Sequence, residues 1–200
     1  MEKDFFIIIV DDNMGNKDPL YRWMIRRFSS AEVKLFNAVE DSISFIFSHL
    51  ESKIIVFMDC KFDVGLQGVQ GLEKIRQKTS LVSIVMMSAN ALNQMENTDL
   101  EAMINSKNLY FVRNNDMPKA ESIVKEIQNK WTSELDCVLE QWVKNHDGHL
   151  RDKPYMRTNK GILSLNDILQ EIRKQTSFGV DLEKNILQVA IDFLTKESKQ

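Results

Sequence analysis

Four short apolar runs, each followed directly by a polar residue, constrain the fold of this chain more than any other feature. The runs are Phe5–Val10, Ile54–Met58, Ile84–Met87 and Leu109–Val112. Helix-like stretches separate them, so the strands are expected to pair in parallel through right-handed crossovers. Ligands bind beyond the carboxyl ends of the strands in an open parallel sheet. The polar residues expected at that edge are Asp11, Asp12, Asp59, Ser88 and Arg113.

The first part of the chain reads as a doubly wound α/β domain, which is expected to cover residues 1–131. Short connections and β-branched strands favour this architecture over a barrel or a sandwich. Predicted strands cover residues 5–10, 33–36, 54–58, 82–87 and 109–112. Predicted helices cover about 19–28, 39–50, 71–78 and 92–105, and Pro118 lies in the first turn of a last helix.

Residues 132–200 are predicted to form a small helical module. One long helix could lead into it, or the helix could break at Thr132 or Ser133, where a capping-box pattern favours the break. Residues 146–160 read as a loop. Ser164 and Asp181 are the predicted N-caps of two further amphipathic helices.

Composition is typical of a soluble intracellular protein, with 43% hydrophobic residues, 28% charged residues and a net charge of −3. Cys60 and Cys137 form no CxxC pair, which indicates a reducing compartment. The apolar run Phe5–Val10 is too short for a signal peptide or a membrane span. A cytoplasmic location without membrane contact is therefore expected.

Three carboxylates that meet at one strand edge repel each other unless a cation, solvent or raised pKa values relieve the repulsion. Mg²⁺ suits such a site, because it takes one or two carboxylates together with water and phosphate oxygens. With Asp11 and Asp12 holding the ion, Asp59 is placed to attack a phosphorus atom. Ser88 and Arg113 could then bind two of the phosphoryl oxygens.

At these positions the chain resembles the receiver domain of two-component response regulators, a flavodoxin-like fold. The resemblance covers residues 4–130 and rests on the order and spacing of several short pieces. The pieces are IIIVDDN (7–13), IIVFMDC (54–60), GLEKIR (71–76), VMMSAN (85–90) and YFVRNND (110–116). It implies a parallel sheet of strand order 2-1-3-4-5, followed here by a small all-α module.

The resemblance also implies roles for individual residues. Asp59 corresponds to the phosphoacceptor, and Asp11 and Asp12 correspond to the Mg²⁺ pair. The backbone carbonyl of Lys61 corresponds to a third protein ligand, beside the Asp59 carboxylate. Tyr110 corresponds to an aromatic switch residue, and Ser88 to the hydroxyl that follows phosphorylation.

These expectations describe a response regulator, which is a phosphoacceptor and not an enzyme beyond autophosphorylation from small donors and slow autodephosphorylation. Added charge on Asp59 would attract Ser88 and Arg113. This would bias Tyr110 and the surface formed by the fourth helix, fifth strand and fifth helix between two packings. The resemblance implies a histidine kinase or a histidine phosphotransfer protein as the upstream partner.

Two other functions stay open. Arg113 stands where lysine is usual, Asn114 stands where proline is usual, and the loops after Asp12 and Asp59 are longer than usual. A degenerate receiver that binds partners without phosphorylation would tolerate these departures. A phosphohydrolase with an Asp59 nucleophile is disfavoured, because Lys61 replaces the second aspartate of a DxD signature.

Residues 132–200 are predicted to pass on the signal through contacts with proteins and not by sequence-specific DNA binding. This segment has ten Lys and Arg against eleven Asp and Glu, whereas a DNA-reading domain presents a basic face. A downstream protein target or a homodimer is therefore favoured over DNA. The candidate contact residues, if the linking helix extends, are Trp131, Leu135, Val138 and Trp142.

Overall fold

The computed structural model describes residues 3–89, 95–131, 135–144, 151–158 and 161–197. The chain divides into two compact units, Met1–Gln128 and Asn129–Gln200. This division falls within a helix that ends at Trp131, and the domain limits 1–131 and 132–200 stay a prediction. Within the described ranges, no helix combines the length and the apolar character needed to cross a membrane.

The first unit contains a five-stranded parallel sheet of order β2-β1-β3-β4-β5. Its strands are β1 Phe5–Val10, β2 Ala31–Phe36, β3 Ile54–Asp59, β4 Ser83–Ser88 and β5 Leu109–Arg113. The predicted fold class and strand order are confirmed. Three strands extend one residue beyond the predicted ends, and their last residues are Asp59, Ser88 and Arg113.

Five helices accompany this sheet, and both faces of its central strands are buried. The helices are α1 Pro19–Arg27, α2 Val39–Ser48, α3 Gly68–Lys78, α4 Asn97–Ile104 and α5 Met117–Trp131. Residues 7–10 and 54–58 are almost inaccessible to solvent. A continuous apolar run without alternation therefore forms a strand here, because the sheet is covered on both sides.

Two helices of the first unit begin at residues other than those predicted. α3 begins at Gly68 and not at residue 71, because Gln67 and Gln70 form a reciprocal capping box ahead of the apolar stripe. The start predicted for α4 at residue 92 lies outside the described residues. Glu96 has an extended backbone, so the described part of α4 begins only at Asn97.

The second unit follows the five-stranded sheet and is mainly helical. Its elements are α6 Leu135–Lys144, β6 Met156–Thr158, β7 Gly161–Leu163, α7 Leu165–Arg173 and α8 Ser177–Glu197. The break predicted at Thr132 or Ser133 lies outside the described residues. Ser164 caps α7 as predicted and accepts a 3.1 Å hydrogen bond from the Asp167 amide.

The loop predicted for residues 146–160 is wrong at residues 156–158, which pair antiparallel with β7. The sequence hides this ladder because it is three residues long and one strand carries Arg157 and Thr158. Residues 146–150 and 159–160 lie outside the described part of the chain.

Asp181 is not the N-cap of the last helix, which begins four residues earlier at Ser177. The Thr176 hydroxyl accepts a 3.0 Å hydrogen bond from the Gly179 amide and so takes the capping role. A Cβ atom at Gly179 would lie 2.0 Å from the carbonyl oxygen of Glu171. Gly179 therefore permits a close helix approach and does not mark a turn.

Candidate functional site

Three carboxylates lie at the carboxyl ends of two neighbouring strands. Val10 pairs with Met58 across β1 and β3, so Asp11 follows its strand beside Asp59. Asp59 ends the central strand and is half-buried, and Asp11 is only 5% exposed. Parallel pairing thus concentrates negative charge at an edge that is partly withdrawn from water.

Burial and mutual repulsion disfavour ionisation of these carboxylates. Burial raises the pKa of Asp59 to about 6, and the negative charges of Asp11 and Asp12 add to the increase. Hydrogen bonds from the backbone amides of Cys60 and Lys61 act in the opposite direction. Burial also raises the pKa of Asp11, and repulsion from Asp12 adds to that increase. A cation would relieve the stored repulsion.

Asp12 links the two loops that flank the acidic edge. Its Oδ1 accepts a 2.8 Å hydrogen bond from Nδ2 of Asn13 in the loop after β1. Its Oδ2 accepts a 2.7 Å hydrogen bond from the backbone N–H of Asp63 in the loop after β3. The Asp63 contact was not predicted, because it is made by a backbone amide and no residue type signals it.

Asn37 fixes the loop after β1 and was not among the predicted site residues. Its Nδ2 donates 2.9 Å hydrogen bonds to the carbonyl oxygens of Asp11 and Met14. Asn37 directly follows β2. A polar residue directly after a strand is the same pattern that predicted Asp11 and Asp59, and it also applies to Asn37 after the edge strand β2.

Gly68 allows α3 to start directly against the end of β3. A Cβ atom at Gly68 would lie 1.8 Å from the carbonyl oxygen of Asp59, which no side chain can tolerate. The Gly68 amide donates a 3.2 Å hydrogen bond to the carbonyl oxygen of Cys60. The backbone of Asp59 is therefore held by a contact that only glycine permits.

Glu40 at the start of α2 fixes the middle of the same loop. Its Oε1 accepts a 3.0 Å hydrogen bond from the Leu66 amide. Gly65 lies beside this carboxylate with a φ of +87°, a conformation that favours glycine. The lengthened loop after β3 is therefore ordered by contacts to Asp12 and Glu40.

Ser88 and Arg113 end adjacent strands and are paired in register. Ser88 is 7% exposed, whereas the Arg113 side chain is exposed. The backbone N–H of Asn114 donates a 3.0 Å hydrogen bond to the backbone carbonyl oxygen of Ser88. Among the described residues, Oδ1 of Asn114 is the one buried side-chain polar atom without a hydrogen-bond partner.

Tyr110 lies on β5, paired with Val85 and three residues before Arg113. Its side chain is half-buried. Tyr110 is thus on the strand that carries Arg113, but away from the carboxyl edge where the carboxylates meet.

Cys60 does not compete with Asp59 as a nucleophile. Its side chain is 6% exposed and belongs to the core cluster that also contains Met58. Burial raises the pKa of the thiol to about 12, and the charge of Asp59 adds to the effect. A buried thiol that stays protonated is chemically inert.

The carboxylates offer a partial ligand set for Mg²⁺. Within the described residues, no group of three or more His, Cys, Asp or Glu side chains is arranged to hold a metal ion. Mg²⁺ commonly uses only one or two carboxylates and completes its shell with water and phosphate oxygens. Asp11 and Asp59, whose charges interact, fit that requirement. Ligation of Mg²⁺ by Asp11, Asp12, Asp59 and the Lys61 carbonyl remains a prediction.

Solved structures similar to this chain are mostly response regulator receiver domains. The signal receiver domain of an HD domain-containing protein from Pseudomonas fluorescens Pf-5 matches with a TM-score of 0.54 and 12% identity, over 66% of this chain and 93% of that one. A CheY-like response regulator receiver domain protein from Methanospirillum hungatei JF-1 matches with a TM-score of 0.50 and 16% identity, over 67% of this chain and 100% of that one.

A third match is the N-terminal domain of a response regulator/sensory box/GGDEF 3-domain protein from Carboxydothermus hydrogenoformans. Its TM-score is 0.51 at 15% identity, over 64% of this chain and 97% of that one. No protein-family model and no curated protein matches the sequence. At these identities the similarity shows the fold: the chain contains a receiver fold, as the resemblance predicted, and its C-terminal module is unrecognised.

Proposed function

We propose that this protein is a response regulator whose first unit accepts a phosphoryl group on Asp59 with the help of Mg²⁺. The observation that carries the proposal is the position of Asp59. It ends the central strand of a receiver fold and is half-buried. The negative charges of Asp11 and Asp12 raise its pKa. This arrangement suits a carboxylate that reacts only when a cation and a phosphoryl group arrive together.

Phosphoryl transfer requires the ionised carboxylate. A pKa of about 6 leaves Asp59 largely ionised at neutral pH. One carboxylate oxygen attacks the phosphorus of a phosphohistidine, and an O–P bond forms. The N–P bond breaks, and the imidazole leaves with its electron pair and takes up a proton. Mg²⁺, held by Asp11 and Asp59 together with Asp12 and the Lys61 carbonyl, would supply the charge neutralisation that the incoming phosphoryl oxygens need.

Ser88 and Arg113 would respond to the new charge. The Ser88 hydroxyl donates a hydrogen bond to one phosphoryl oxygen, and the Arg113 guanidinium pairs with another. The two residues are in register on adjacent strands, so their movements act on the paired ends of β4 and β5. Tyr110 and the surface of α4, β5 and α5 then change their packing.

The partners follow from this chemistry. A histidine kinase or a histidine phosphotransfer protein supplies the phosphoryl group. The second unit passes the signal to a protein target, because its charge is nearly balanced and not basic. The protein acts as a signalling phosphoacceptor and not as an enzyme with turnover.

A degenerate receiver is the second candidate, and the contact between Asp12 and Asp63 favours it. Both Asp12 oxygens already accept hydrogen bonds. Arg113 and Asn114 stand where the receiver family usually has lysine and proline. The Arg113 side chain is exposed, and the Asn114 amide oxygen is buried without a partner. In this case the surface would bind a partner without phosphorylation.

Intact mass measured with and without an acyl phosphate donor and Mg²⁺ separates these candidates. The parent chain is expected to gain the mass of one phosphoryl group only when Mg²⁺ is present, and Asp59→Asn is expected to gain none. Asp63→Asn is the matched control, because it removes an exposed carboxylate in the same loop and keeps the backbone amide.

Labelling of Asp59→Asn at the parental level would show that another residue is the acceptor. A parent chain that stays unlabelled would support the degenerate receiver. Continuous release of inorganic phosphate from a phosphoester would instead indicate a hydrolase.

A further inference from the structure

The second half of α8 is apolar on several sides and exposed. Its large apolar side chains are between 47% and 68% exposed: Leu187, Val189, Ile191, Phe193 and Leu194. A helix that is apolar around most of its circumference is normally buried. Nine of the thirteen exposed large hydrophobic residues in the described part of the chain lie in the second unit. The exposed second half of α8 is therefore expected to be covered by another apolar surface in solution.

The same unit contains an apolar cavity of about 520 Å³. Side chains from α6, β6, α7 and the first half of α8 line it, among them Leu135, Leu139, Leu165, Ile168, Leu169 and Leu182. Val138, Trp142 and Tyr155 also line it and are 41% to 58% exposed, so the cavity is open to solvent on this side.

α8 cannot fill this cavity in its own chain. Leu182 and Ile186 in its first half already form part of the cavity wall. The helix continues without interruption to Glu197, and its later apolar residues stay exposed. Residues 187–194 span about 10 Å at 1.5 Å per residue, a length comparable with the dimensions of the cavity. The apolar helix and the apolar cavity are thus complementary but cannot meet within one unit.

We propose that the exposed half of α8 docks into the apolar cavity of a second copy of this chain, and that the second copy does the same in return. A contact in which each copy supplies both the helix and the cavity closes with two-fold symmetry and leaves neither surface exposed. This proposal does not depend on phosphorylation of Asp59.

Area and charge agree with a second copy as the occupant. The eight exposed apolar side chains of α8 and of the cavity wall present on the order of 800 Å², and a stable interface buries about 800 Å² on each partner. Asp192 is the one charged residue between positions 187 and 194. This part of α8 can therefore enter the apolar cavity of a second copy with little like-charge repulsion.

Sedimentation velocity of the full chain over a dilution series tests the proposal. The parent is expected to be a dimer, and Phe193→Asp on α8 and Val138→Asp at the cavity are each expected to raise the dissociation constant by about 100-fold or more. Asn185→Asp is the matched control, because it adds the same charge at an exposed polar position of α8. It is expected to dimerise like the parent.

Mixing the two weakened variants gives the sharper result. The Val138→Asp chain keeps an intact α8 and the Phe193→Asp chain keeps an intact cavity, so one of the two contacts can form in a heterodimer. The mixture is expected to contain this heterodimer although each variant alone is a monomer. Circular dichroism checks that both variants are folded, which is expected because both positions are exposed.

A monomeric parent chain at micromolar concentration would overturn the proposal and indicate that the helix is covered within its own chain or by another protein. Variants that dimerise like the parent would also overturn it. A mixture that stays monomeric would overturn the docking of α8 into the cavity of the second copy.

Discussion

The backbone N–H of Asp63 donates a 2.7 Å hydrogen bond to Oδ2 of Asp12 and so attaches the loop after β3 to the acidic edge. The carboxylate that orders this loop is also one of those proposed to bind Mg²⁺. Binding of the ion and the conformation of the loop are therefore coupled through one side chain.

Asp12→Ala is expected to weaken Mg²⁺ binding by about tenfold or more, because it removes a charge from the proposed ligand set and releases the loop. Calorimetric Mg²⁺ titration measures the affinity, and amide exchange at Asp63 measures release of the loop. Asp63→Asn should keep both properties, since its amide is unchanged. An unaltered titration for Asp12→Ala would remove Asp12 from the ligand set.

Asp59 is expected to contribute a loss of stability to the Mg²⁺-free protein as the pH rises from about 4 to 6. The pKa of Asp59 increases from 3.8 to about 6 on folding, so the folded state retains a proton that the unfolded state has already released. Asp59→Asn lacks this penalty and should be more stable than the parent at pH 7, with a smaller advantage near pH 4.

Urea denaturation at several pH values, with and without Mg²⁺, measures this difference. Mg²⁺ should stabilise the parent at pH 7 more than it stabilises Asp59→Asn, because the ion relieves the same repulsion. A constant difference between the two proteins over this pH range would contradict the assigned pKa.

Gly68→Ala is expected to destabilise the first unit by about 2 kcal/mol or more, because its Cβ would meet the carbonyl oxygen of Asp59 at 1.8 Å. Gly15→Ala is the control, since no atom lies within 4 Å of a Cβ there. Urea denaturation compares the two. Equal stabilities would mean that the start of α3 shifts freely, and phosphorylation of Gly68→Ala would then be unchanged as well.

Asn114→Pro is expected to cost about 1–3 kcal/mol, because proline removes the N–H that donates to the Ser88 carbonyl oxygen at 3.0 Å. Asn114→Ala keeps this N–H and removes the buried amide oxygen that has no partner, so it should be neutral or stabilising. Thermal unfolding of both variants gives the comparison. A proline variant as stable as the alanine variant would show that this backbone hydrogen bond contributes little.

Sequence-selective DNA binding is not expected at physiological salt, with or without a phosphodonor. The second unit has nearly balanced charge, and phosphate neutralisation supplies much of the affinity of DNA-reading domains. Fluorescence polarisation with mixed genomic fragments measures binding. Submicromolar, sequence-selective affinity would instead identify the chain as a transcription factor.

Sequence patterns predicted the strands and helices that have a clear apolar run or capping residue. They failed where a close contact between distant backbone atoms decides the structure. The buried runs of β1 and β3 and the Ser164 cap were found because an apolar run and a capping residue act over a few neighbouring positions. The start of α8 at Ser177 was not predicted, because a glycine at position 179 is typical of a turn. In the structure this glycine lies within the helix, where a Cβ atom would lie 2.0 Å from the carbonyl oxygen of Glu171.

The sequence by itself determined that strands alternate with helices, and that polar residues follow the strands at Asp11, Asp59, Ser88 and Arg113. These are properties of residue order, which parallel pairing converts into a shared edge. Only the tertiary structure decided how strongly Asp59 is buried, that Asp63 reaches Asp12, and that an apolar helix and an apolar cavity occur in one unit. Burial and backbone contacts depend on what the whole chain brings near each group, and no local window of residues contains that information.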